Sequence, residues 1–131
     1  METKEILKRI CSAPGVSGAE QSTAAVIKEI VSAYADTVSA DALGNLKATV
    51  NPDGKKGVIL FAHMDKIGLV VTGVDKESGF LRVSPVGGVD ARTAPAQRVR
   101  VYGKKTLDGV IISTPPHLAK TGGDKKAVPV D

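Results

Sequence analysis

A chain of 131 residues that is 42% hydrophobic and 24% charged has room for one compact domain or two very small ones, and its mean hydropathy of +0.02 excludes a disordered tail. No run approaches the ~20 apolar residues of a spanning helix, the charged start lacks a signal-peptide apolar core, and one cysteine, Cys11, excludes a disulfide framework; the chain reads as cytoplasmic and makes no membrane contact. The balance of 18 basic to 14 acidic residues gives +4, but the doublets Lys55-Lys56, Lys104-Lys105 and Lys125-Lys126 sit in turn-like stretches without the stacking aromatics of a nucleic-acid surface.

Residues 5–11 predict a short helix with Ile6, Leu7, Ile10 and Cys11 on one side, stopped by Ala13-Pro14-Gly15. Cys11 reads as a small core residue rather than a nucleophile. Ser17-Gly18-Ala19-Glu20 has the form of a capping box, with Ser17 as N-cap. A helix should follow to about Tyr34, burying Val26, Ile27, Ile30, Val31 and Tyr34 at helical spacing.

Residues 37–40 and 46–50 predict short strands around a turn-rich connection, and Asn51-Pro52-Asp53-Gly54 is a turn. The unbroken apolar run of residues 57–62 predicts a strand covered on both faces, as in an α/β sheet. From residue 67 the texture changes. Residues 67–74, 80–84, 97–102 and 109–113 predict short strands separated by Gly-bearing turns, the pattern of a small antiparallel barrel or sandwich. Asp108-Gly109 carries a hairpin signal. Gly87-Gly88 and Gly122-Gly123 read as turns, and residues 127–131 can start another strand. The expected fold is therefore an α/β flank with a partial mixed sheet, residues 1–66 and 116–131, carrying an inserted β-barrel at residues 67–115.

His63-Met64-Asp65 follows the apolar run directly. Ligands of open α/β sheets bind beyond the carboxyl ends of strands, and side chains at i and i+2 of an extended segment point to one side. The imidazole could bind a divalent metal while the carboxylate holds the ring. By itself His-x-Asp is a weak signal that a strand-end histidine also satisfies.

The surrounding motifs are more specific. Ala13-Pro14-Gly15-Val16-Ser17-Gly18, Leu43-Gly44-Asn45-Leu46, and Phe61-Ala62-His63-Met64-Asp65-Lys66-Ile67-Gly68 occur in that order, followed by Gly79-Phe80-Leu81, Pro85-Val86-Gly87-Gly88, Gln97-Arg98-Val99 and Pro115-Pro116-His117-Leu118. Together they resemble the tetrahedral, glutamyl-aminopeptidase-like metallopeptidases over nearly the whole chain. The resemblance implies removal of N-terminal residues from peptides by a water held between two divalent metals, zinc or cobalt. It implies that His63 is the first metal ligand and that Asp65 supports it as the catalytic-site aspartate. It implies homo-oligomers built through the β-barrel.

Three departures accompany it. The family's bridging aspartate, further carboxylates, second histidine and general-base glutamate have no match here, and His117 belongs to the Pro-Pro-His motif. Lys66 stands where the family carries Glu, placing an ammonium where it would oppose a cation. Ala94 and Ala96 stand where the family tends to have Leu and Gly. The chain is thus expected to be inactive by itself as a peptidase. The alternative is a non-catalytic self-association module pairing with itself or with full-length homologues. An endoglucanase would need paired acids around a sugar site, and no such pair is apparent.

Overall fold

Helix α1 spans Thr3–Ser12 and helix α2 spans Gln21–Val31 in the computed structural model, which describes residues 2–113. These residues divide at Lys66/Ile67 into two compact units.

In the first unit α1 packs on α2 and is tied to it by Arg9, whose guanidinium lies 2.7 Å from the Glu29 carboxylate. Ile6 and Ile10 are half-buried, whereas Leu7 and Cys11 are exposed. The expected apolar face is therefore narrower than its composition suggests, and Cys11 is an exposed thiol rather than a core residue. Along α2, Ile30 is buried and Val26, Ile27 and Val31 are half-buried; Tyr34 lies past the helix end and is exposed.

The one fully buried side chain among the described residues is a threonine, Thr23. Its hydroxyl donates to the Pro14 carbonyl at 2.9 Å, which satisfies a polar group that would otherwise be costly to bury. A Cβ on Gly15 would fall 2.2 Å from Thr23 Oγ1. Glycine is thus required here by close approach, and the loop between the helices is pulled flat against α2.

Strands β1, Thr37–Ala40, and β2, Leu46–Thr49, pair antiparallel from Thr37 opposite Thr49 to Ala40 opposite Leu46. Asp41 closes their turn by accepting from the backbone N–H groups of Leu43 and Asn45 and from the Asn45 side chain. These bonds, the Asn45 amide foremost, hold the Asp41 carboxyl below the usual range.

The apolar run departs from expectation. Residues 57–62 form no strand, and Val58, Leu60 and Phe61 are about nine-tenths exposed (89%, 92% and 91%). A doubly covered strand needs ladder partners on its edges and helices on its faces. Among the described residues β1 and β2 pair only with each other, so neither requirement is met. The expected mixed sheet is likewise not found there; the sole parallel element is a single bridge between Val16 and Lys66.

The second unit holds two antiparallel hairpins. Strand β3, Gly68–Val74, pairs with β4, Leu81–Val86, with a register shift between Val71 and Gly73. The β3–β4 turn is organised by Asp75, which accepts from the N–H groups of Glu77 and Ser78 and from the Ser78 hydroxyl. Strand β5, Arg98–Tyr102, pairs with β6, Thr106–Val110. This corrects the expected strand at residues 109–113 and the expected turn at Asp108-Gly109. Asp108 instead faces Arg100 across the ladder at 3.7 Å, and Gly109 faces Val99. The turn falls at Gly103-Lys104-Lys105. Both described doublets, Lys55-Lys56 and Lys104-Lys105, are exposed, as solvated turns should be.

Each hairpin forms its own two-stranded sheet, and the described residues contain no closed barrel. Among the described residues of this unit Ala94 is the buried one. Nearby, Ala96 adopts a left-handed φ of 65°, and its N–H donates to Ile111. The readings placed on residues 114–131, including His117, fall outside the described residues.

Candidate functional site

The motif loop between the helices and the His63-Met64-Asp65-Lys66 segment meet in the first unit. The Lys66 N–H donates to the Gly15 carbonyl at 2.7 Å, making the parallel bridge beside Val16. This contact fixes Asp65 one residue away from a docked backbone. It also brings Ser17 within reach.

Ser17 does not cap α2, contrary to expectation. The N-cap position is Glu20, without a side-chain cap bond, and the Glu20 carboxylate accepts from the Gly18 N–H at 2.7 Å. The Ser17 hydroxyl donates instead to Asp65 Oδ2 at 2.6 Å. A short bond to an ionised acceptor is stronger than a neutral one, and here it joins residues 48 apart in sequence.

The other Asp65 oxygen, Oδ1, lies 2.9 Å from His63 Nδ1, and the Asp65 carbonyl lies 3.1 Å from the same nitrogen. Both partners only accept, so Nδ1 must carry the proton. In the neutral ring this leaves the lone pair on Nε2. Ser17 first, then His63, holds the Asp65 carboxyl below the usual range. The result is a polar chain Ser17–Asp65–His63 in which a carboxylate orients an imidazole, as in carboxylate–histidine arrangements that support metals.

His63 is largely exposed, with 85% of its side chain accessible, and it lines a groove of about 450 Å³. The groove runs between the first half of α2, the β1–β2 turn and residues 62–65, with Glu20, Lys28, Asn45 and Asp65 among its lining. The three motif stretches quoted from the first half of the chain are thus brought together, two by hydrogen bonds and Leu43-Gly44-Asn45-Leu46 as the facing wall.

Lys66 points elsewhere. Its ammonium donates to the carbonyls of Ile10 (3.4 Å), Cys11 (3.0 Å) and Ala13. These belong to the last turn of α1 and its extended C-cap, where carbonyls lack helical partners and carry partial negative charge. Sequence reasoning missed this role because the partner carbonyls lie more than 50 residues away.

Among the described residues no group of three or more His, Cys, Asp or Glu side chains could hold a metal ion. One imidazole with its orienting acid does not build a two-metal centre. Nor is any described helix long and apolar enough to cross a membrane.

These features define a carboxylate-oriented histidine at the mouth of a groove, in a small helix-and-hairpin fold. The profile of the M42 glutamyl aminopeptidase family matches residues 44–131, and the chain belongs to that family. It is 42% identical over 123 residues to a lysyl aminopeptidase of Pyrococcus furiosus, covering 92% of this chain and 35% of the relative. Its structure is similar to that of a TET aminopeptidase from a marine-sediment thaumarchaeote (TM-score 0.85, 32% identity, 97% of this chain and 35% of the other). It is also similar to the TET1 peptidase of Pyrococcus horikoshii, described as assembling into a tetrahedron or a large octahedral shell (TM-score 0.79, 39% identity, 98% and 38%). The chain spans little more than a third of the length of these relatives. The family is generally metal-dependent, and the relatives compared above are aminopeptidases.

Proposed function

We propose that this chain carries the histidine arm of an M42 metallo-aminopeptidase centre and does not hydrolyse peptides by itself. The observation that carries the reading is the Ser17–Asp65–His63 chain, which leaves the lone pair of His63 Nε2 available to a ligand beside the groove. In a completed centre, zinc or cobalt would supply a Lewis acid and an activated water. The residues present here do only part of that work: Asp65 orients the ring and stays ionised, and His63 offers one ligand. The family's other ligands and its general base have no counterpart among the residues described. By the same reading the β-rich unit is an inserted barrel-type module for homo-oligomer formation, with peptides as substrates of the completed enzyme.

The test is hydrolysis of a panel of aminoacyl-chromophore substrates by the purified chain, with added zinc or cobalt and a chelator control. No chelator-sensitive turnover is expected. Zinc binding, measured by competition with a chromophoric chelator, should be weak and should be lost in His63→Ala. Metal-dependent turnover would refute the inactivity and mean that chains complete one another's site. Zinc binding indifferent to His63→Ala would remove the histidine arm and leave the alternative, a non-catalytic association module.

A further inference from the structure

We propose that Ser17 is a positioning residue that sets the ring tautomer of His63 through Asp65. The proposal deepens the metal-ligand reading of His63, because the tautomer decides which nitrogen is free for a ligand, but its geometry stands independently of any metal.

An exposed histidine ring in water has no strong reason to keep its proton on Nδ1. Here two acceptors converge on that nitrogen, Asp65 Oδ1 and the Asp65 carbonyl. The carbonyl is fixed by the backbone. The carboxylate rotates about its own side-chain torsions unless something holds it, and Asp65 is only partly covered, at 41% side-chain exposure. The one side-chain donor shown on Oδ2 is the Ser17 hydroxyl, at 2.6 Å. With Oδ2 anchored, Oδ1 is left aimed at Nδ1.

Ser17 can act as an anchor because its own loop is anchored on both sides. Thr23 holds the Pro14 carbonyl, the Gly15 carbonyl takes the Lys66 N–H, and the Val16 carbonyl takes the Ala19 N–H. The loop motif thereby gains a purpose that capping did not explain: it delivers one hydroxyl to the carboxylate behind the histidine.

The experiment uses the full chain, labelled with nitrogen-15, at a pH where histidine is neutral (about 8.5) and without added metal. Long-range proton–nitrogen correlation spectra read the two ring nitrogens of His63, assigned by their disappearance in His63→Gln. Wild type is compared with Ser17→Thr, which keeps the hydroxyl, and Ser17→Val, which has the shape of threonine without it. Ser17→Ala serves as a second hydroxyl-free variant.

The wild type and Ser17→Thr should hold the proton chiefly on Nδ1. In Ser17→Val and Ser17→Ala the Nδ1–H to Nε2–H ratio should fall by about threefold or more, the scale of one modest hydrogen bond. Equal ratios in Thr and Val, or a wild-type ring protonated mainly on Nε2, would overturn the proposal. If the ratio responds to Ser17 while zinc binding ignores His63, the metal reading fails and the positioning role survives.

Discussion

Replacing Lys66 separates two physical readings of the same residue. Sequence position suggests an ammonium that repels a metal. The structure instead places that ammonium against the Ile10, Cys11 and Ala13 carbonyls at the end of α1. The C-cap there, Ala13, has extended backbone (φ −69°, ψ 140°) rather than the left-handed turn with which many helices satisfy their last carbonyls. Lys66 therefore stands in for the missing cap. A cation at a helix C-terminus contributes about 0.3–1 kcal/mol when exposed and up to about 2 kcal/mol when partly buried; Lys66 is half-buried, which favours the upper part of that range.

Lys66→Met keeps most of the stem and removes the charge, so it should cost about 1–2 kcal/mol. Lys66→Glu adds a carboxylate facing the negative end of a helix and should cost about 2–3 kcal/mol. For a unit of this size each kcal/mol lowers the midpoint of thermal unfolding by about 4–8 °C. Thermal melts by far-UV circular dichroism would show the order wild type, then Met, then Glu. A Lys66→Met protein as stable as wild type within about 0.5 kcal/mol would refute the clamp. A Lys66→Glu protein that gained both stability and zinc affinity would restore the repulsion reading in its place.

Gly15→Ala should destabilise the first unit by about 3 kcal/mol, since its Cβ would meet the hydroxyl of a fully buried threonine at 2.2 Å; an unchanged urea midpoint would contradict the close approach. Ala96→Gly should stabilise the second unit by about 0.5–1 kcal/mol by relieving a left-handed φ of 65°, and a lower melting temperature would show that unfolded-chain entropy dominates instead. Asp41, Asp65, Asp75 and Asp90 are each held below the usual carboxyl range, chiefly by Asn45, Ser17, Ser78 and Arg92 respectively. A depressed folded-state value adds stability that is complete above the unfolded value (~3.9) and is lost as pH falls through the lower folded values. Urea midpoints should therefore hold between about pH 6 and pH 5 and decline below about pH 4; a midpoint flat to about pH 3 would mean that these bonds do not persist in solution.

What was legible in the sequence was local. The helical spacing of Val26, Ile27, Ile30 and Val31, the turn at Asn51-Pro52-Asp53-Gly54 and the 67–74 strand depend on neighbours a few residues away, and each is present. His63 and Asp65 were legible as a pair because i and i+2 share a side in extended chain, and they meet at 2.9 Å. The errors lie where a remote partner outcompetes a local one. Ser17 had a capping pattern nearby but takes a carboxylate 48 residues on. The sequence neighbours of Lys66 suggest a metal-facing charge, yet its partners end a helix more than 50 residues away. Asp108-Gly109 has turn chemistry, but pairing with Arg100 and Val99 draws both residues into β6.

The apolar run of residues 57–62 shows the same principle from the opposite side, and it carries a prediction. Continuity of apolar residues specifies that a segment wants cover on both faces, but not what supplies it. Val58, Ile59, Leu60 and Phe61 are between 76% and 92% exposed and belong to no ladder among the described residues. Contiguous exposed apolar chain, free of proline and charge, is association-prone through both its side chains and its backbone edge. The chain should therefore self-associate as its concentration rises. Placing a charge at the centre of the run, Leu60→Lys, should shift sedimentation toward the monomer, because a strand edge carrying a lysine is a poor template for pairing. Phe80→Lys, at a less exposed residue (58%) of the other unit, tests the hairpin surface separately and should leave the part of the association that runs through residues 57–62 unchanged. If wild type sediments as a monomer at every concentration, exposure of this run does not drive association. If Phe80→Lys disperses the assemblies and Leu60→Lys does not, the hairpin unit is the adhesive surface and the apolar run is not.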